Sequence, residues 1–102
     1  MKINEYLKAQ HKESQDKYLT FAKRITCKDG FSISVQANEL AYCRPRHNMA
    51  HQYSEVECGF PSSEPELIMQ YAEEQEIPTE TVYCYVPVEL VDQLIESHGG
   101  IA

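Results

Sequence analysis

From Phe31 to Ala37 the chain alternates without a break, with Phe31, Ile33, Val35 and Ala37 on one side and Ser32, Ser34 and Gln36 on the other. Successive side chains of a strand point to opposite faces, so this run fits a half-buried strand. The turn signal Asp29-Gly30 opens it. Two later runs follow the same period. Residues 53–60 place Val56, Cys58 and Phe60 inward and Glu55 and Glu57 outward. Residues 81–86 place Val82, Cys84 and Val86 on one face and Tyr83 and Tyr85 on the other. A further short strand is predicted over residues 40–43, before Pro45 interrupts it. Such runs commit the chain to a sheet.

Helical spacing surrounds these runs. Residues 3–25 carry Ile3, Tyr6 and Leu7 at one end and Tyr18, Leu19, Phe21, Ala22 and Ile25 at the other, with a polar middle. This predicts one long or broken helix. Ser63, Pro65 and Glu66 read as a capped helix start, with Leu67, Ile68, Tyr71 and Ala72 inward. Pro87 opens a last helix that buries Leu90, Val91, Leu94 and Ile95 and stops at Gly99-Gly100. The expected fold is α+β: a small, mostly antiparallel sheet of three to four strands covered by three helices. At 102 residues it is expected to be a single domain over 1–102, with an N-terminal helical segment at 1–25 and a core at 29–100.

Charge is unevenly distributed. All nine Lys and Arg lie at or before Arg46, beside five Asp and Glu, whereas residues 47–102 carry eleven carboxylates and no fixed positive charge. The balance is therefore 9 − 5 = +4 in front and −11 behind, −7 in all. Such a surface repels nucleic acid and attracts basic protein sites. No apolar run approaches the ~20 residues of a membrane span. The N-terminal stretch lacks a secretory apolar core, so a cytoplasmic location is expected. Cys27, Cys43, Cys58 and Cys84 form no C-x-x-C pair, and Cys58 and Cys84 read as core residues.

Several groups could carry function. Glu89, Asp92 and Glu96 fall at i, i+3 and i+7 on the last helix, successive members about 4.5–6 Å apart along its axis. With Glu55, Glu57, Glu73 and Glu74 they form a candidate partner-binding surface that mimics nucleic acid, against the plainer reading of a solubilising face. Ser34, Gln36, Arg44 and Arg46 are the alternative, a pocket for a nucleotide or phosphate held by bidentate Arg contacts. Cys43, His47 and His51 recur every fourth residue, a spacing that metal sites and a Cys43/His47 nucleophile both use. His47-x-x-x-His51 has Asn48 where a metalloprotease motif has Glu, and no orienting acid follows the thiol. No enzyme, metal or cofactor is therefore expected. Tyr83 and Tyr85 read either as an interaction face or as packing beneath the first helix.

The segments Asp29-Gly-Phe-Ser-Ile-Ser-Val-Gln-Ala37, Tyr42-Cys-Arg-Pro-Arg46, Glu55-Val-Glu-Cys-Gly-Phe-Pro-Ser62 and Thr79-Glu-Thr-Val-Tyr-Cys-Tyr-Val-Pro-Val-Glu89, with His98-Gly-Gly100, resemble small proteins encoded by phages and prophages. The resemblance covers residues 29–100 and brings no site residue with it. It implies a context in which short acidic domains inhibit host systems, CRISPR effectors among them. The resulting expectation is a non-enzymatic acidic inhibitor of a host defence system in the bacterial cytoplasm, occupying a basic nucleic-acid-binding site on a host protein. Self-association as a homodimer is a third expectation, with the basic front of one copy meeting the acidic half of another.

Overall fold

A computed structural model describes residues 1–14 and 20–102. Their elements are α1 (Ile3–Glu13), β1 (Ile25–Thr26), β2 (Ser32–Gln36), β3 (Glu55–Gly59), a 3₁₀ helix (Glu66–Tyr71), β4 (Val82–Pro87) and α2 (Val88–Ser97). The strands form one antiparallel meander in the order β1-β2-β3-β4. The α+β class is as the sequence predicts. Ile25, Ile33, Val35, Val56, Cys58, Tyr83 and Val86 are buried from the sheet. They share one core with Ile3 and Leu7 of α1 and Val88, Val91, Leu94 and Ile95 of α2. Among the described residues no helix is long and apolar enough to cross a membrane.

The predicted helix over 3–25 is half as long. It ends at Glu13, and residues 20–24 are irregular before β1. Side chains satisfy that backbone instead. The Gln36 amide accepts from Ala22 N–H at 2.9 Å and donates to its carbonyl at 2.7 Å, imitating a strand partner. Gln10 accepts from Lys23 N–H, and Tyr6 Oη donates to the Lys23 carbonyl. Tyr18, Leu19 and the polar stretch at 15–17 lie outside the described residues.

Residues 40–43 do not form a strand. Asn38 Oδ1 accepts from both Leu40 and Ala41 N–H, bending the chain into an Asx-type turn. The helix expected after Ser63 is only the short 3₁₀ helix, with Pro65 as its N-cap residue, so the Ser63/Glu66 box does not form. Beyond it Ala72 bridges Tyr83, and Glu73 N–H donates to the Val82 carbonyl at 2.9 Å, drawing the chain along the free edge of β4. Among the described residues the three helices are thus two α-helices and one 3₁₀ helix. Leu67, expected inside, is exposed.

Both sheet edges are covered. Residues 72–73 line β4, and on the other side Cys27 bridges Ile101 while Ala102 N–H reaches the Thr26 carbonyl. Covered edges remove the usual template for strand-to-strand association. The C-terminal turn that permits this has Gly99 and Gly100 at φ +90° and +86°. A Cβ on Gly99 would lie 3.2 Å from Lys28 Cβ. Next to it His98 stacks on Phe31 with ring centroids 4.0 Å apart, and its Nδ1 lies 2.7 Å from Asp29 Oδ2. The Phe31 N–H, then His98, hold the Asp29 carboxyl below its ordinary range.

A fourth correction concerns phase. Val56 faces Val86 and Cys58 faces Tyr83, so Cys84 and Tyr85 together oppose Glu57 in a β-bulge. Tyr85 sits at φ +53° and turns its N–H out of the ladder to the Tyr42 carbonyl at 3.0 Å. The alternation slips by one residue there. Tyr83 enters the core, its hydroxyl donating to the Pro78 carbonyl at 2.6 Å, whereas Cys84 is only half-buried. Tyr83 and Tyr85 thus do not share a role, and Cys84 is not a core residue.

Candidate docking surface

The seven carboxylates expected to bind a partner divide into two groups. Asp92 Oδ1 accepts from Ile3 N–H at 2.7 Å, so it satisfies an orphan donor at the first turn of α1. Glu55 pairs with Arg44 at 3.0 Å. Glu57 Oε1 accepts from Tyr42 N–H at 3.0 Å, fixing the 38–43 loop across β3. These three hold the fold together. Glu73, Glu74, Glu89 and Glu96 are exposed and make no ion pair among the described residues.

The largest run of such groups spans the 3₁₀ helix and the chain leading from it to β4. Residues 64–80 carry Glu64, Glu66, Glu73, Glu74, Glu76 and Glu80, all exposed, and no Lys or Arg. None makes an ion pair among the described residues. The segment is nonetheless built. Pro65 and Ile68 are buried beneath it, Gln75 Nε2 donates to the Met69 carbonyl, and Glu74 N–H donates to Thr81 Oγ1. Leu67 and Ile77 stand out from it, 44% and 38% exposed. Its field reaches β4: burial, reinforced by Glu64, raises the Tyr83 phenol, and burial, reinforced by Glu73 and then Glu57, raises the Cys84 thiol. Sequence reasoning missed Glu64, Glu66, Glu76 and Glu80. The signal was legible as an acidic run without any lysine.

The residues expected to form a small-ligand pocket are engaged internally. Gln36 clamps Ala22, and its Nε2 also reaches Ser34 Oγ at 3.1 Å. Arg44 holds Glu55 and lies 5.0 Å over the Tyr85 ring. Arg46 lies 5.6 Å over Tyr42, which in turn packs 6.0 Å from Tyr85. The result is a stacked arginine–tyrosine cluster over the bulge, stabilised by cation–π attraction.

Cys43 is fully buried, with Sγ 3.2 Å from the Asn38 carbonyl. Burial pushes its thiol up, against the opposing pull of that contact and of Arg46. A nucleophilic thiolate requires the reverse shift. His47 and His51 are exposed, and among the described residues no group of three His, Cys, Asp or Glu side chains could hold a metal ion.

Compared with models of known protein families, with curated proteins and with solved structures, the chain matches none.

Proposed function

We propose that this protein is a non-enzymatic docking domain whose acidic segment 64–80 occupies a basic, nucleic-acid-binding site on a protein partner. One observation carries this reading: six exposed carboxylates fall on one hydrogen-bonded segment, and none makes an ion pair among the described residues. Surfaces that stay soluble for no other purpose intersperse both signs. A single-sign field instead speeds encounter with an oppositely charged site and opposes wrong partners. Leu67 and Ile77 supply the apolar contacts that a purely solvating face lacks. Glu89 and Glu96 extend the field along α2, whereas Glu55, Glu57 and Asp92 serve the fold. The likeness to phage proteins supports a narrower form of the proposal, an anti-CRISPR-like inhibitor acting in the cytoplasm of a bacterial host.

The test is capture from a bacterial lysate at low salt by the tagged protein and by its Glu73→Lys/Glu74→Lys/Glu76→Lys variant. The expected outcome is a basic protein retained by the wild type, released by added DNA, and bound at least about tenfold more weakly by the variant. Equal retention by the folded variant, or indifference to DNA, contradicts the proposal.

A further inference from the structure

Lys8, His11 and Lys12 stand at i, i+3 and i+4 on α1 and therefore share one face. With Met49, Ala50 and His51 they line a cavity of about 260 Å³. Two of these six side chains are lysines, two are histidines and none is a carboxylate, in a chain whose net charge is −7; burial holds the His11 imidazole below its ordinary range, so the lysines supply the fixed charge. Neither lysine makes an ion pair among the described residues.

The two walls are fixed relative to each other. Asn4 of α1 accepts from Tyr53 N–H at 2.8 Å and donates to the Tyr53 carbonyl at 3.0 Å. The Tyr53 hydroxyl accepts from Ala50 N–H at 3.2 Å and donates to the His47 carbonyl at 2.6 Å. The loop is thereby tied to the helix before any ligand arrives, so binding would not have to order it.

His11 adds a second, independent observation. Its side chain is buried, 4% exposed, with the Tyr53 ring edge-on at 6.1 Å, and its Nε2 has no hydrogen-bond partner among the described residues. A buried polar atom left unmet on a residue that lines a cavity calls for a physical explanation. Met49, unbranched and exposed, can move aside to admit a ligand group.

We infer that this cavity binds a small organic carboxylate, the anion held by the charges of Lys8 and Lys12 with hydrogen bonds from the imidazoles, and the apolar body by Met49, Ala50 and the lysine stems. A cavity of about 260 Å³ lies just below the usual range of small-molecule pockets, which suits a ligand as small as benzoate. This site is separate from the acidic segment, and its occupancy does not depend on the docking function.

The experiment is titration of the ¹⁵N-labelled full chain with benzoate, benzyl alcohol and inorganic phosphate in parallel. The expected result is saturable shifts at the amides of residues 8–12 and 49–51 with benzoate, and affinities at least about tenfold lower for the other two. Lys8→Glu/Lys12→Glu, both exposed positions, should abolish the benzoate shifts while the remaining spectrum is retained. Equal binding of benzyl alcohol overturns the anion site. Equal binding of phosphate overturns the organic class. Absence of shifts with benzoate overturns the cavity as a binding site, as does binding unchanged in the double variant.

Discussion

Asp92 shows how one side chain changes meaning between a helical projection and a folded molecule. Its place between Glu89 and Glu96 invites a shared partner-facing role, yet its carboxylate satisfies the Ile3 N–H at the start of α1. The interaction joins residues 89 positions apart, and no local pattern announces it. The nearby Lys2 N–H donates to Glu5 Oε1 at 3.3 Å, so two side chains satisfy donors of the same turn. Asp92→Ala is expected to lower stability by about 1–2 kcal/mol, as loss of a helix-capping acceptor does. Urea denaturation of the two proteins measures it, with faster amide exchange at residues 3–6 as the local sign. A change below a few tenths would mean that water replaces the carboxylate without loss. The dependence also makes charge reversal at Asp92 a poor probe of docking, because it would loosen α1 at the same time.

The elements show where local pattern sufficed and where distant contacts overrode it. β2 and α2 follow their periods because each packs one uninterrupted face, and Pro87 and the two glycines bound α2 by backbone geometry alone. β4 does not, since its bulge depends on the Tyr42 carbonyl arriving from another loop. The stretch after α1 likewise depends on Gln36, and the 3₁₀ helix is cut short by pairing with β4. Each departure involves a backbone group satisfied by a residue remote in sequence. The phase slip has a direct consequence for the cysteines flanking it. Cys58→Ser puts a hydroxyl in a fully buried apolar site and is expected to cost about 1–3 kcal/mol. Cys84→Ser, on the half-buried side of the bulge, is expected to stay within about 0.5 kcal/mol. Thermal or urea melts compare them. Equal costs would mean that β4 keeps an unbroken alternation and that the bulge is absent in solution.

At the scale of the whole molecule, the charge asymmetry is resolved into groups that hold the fold and groups that do not. Arg44 answers Glu55, Glu57 and Asp92 answer backbone amides, and the acids of residues 64–80 answer nothing among the described residues. The excess negative charge of the rear half was legible from residue counts. Which of those carboxylates the fold engages was not, because that depends on tertiary contacts. The covered sheet edges turn any association toward side-chain surfaces and away from strand pairing. The central claim is thus positional: a basic partner meets residues 64–80 in preference to the other acidic positions. Titrating an arginine-rich peptide into the ¹⁵N-labelled protein at low salt tests it without knowledge of the natural partner. The account expects amide shifts concentrated in residues 64–80, shrinking as salt shortens the Debye length from about 30 Å at 0.01 M to about 8 Å at 0.15 M. Shifts spread evenly over all acidic positions, or centred on Glu89 and Glu96 instead, would contradict it.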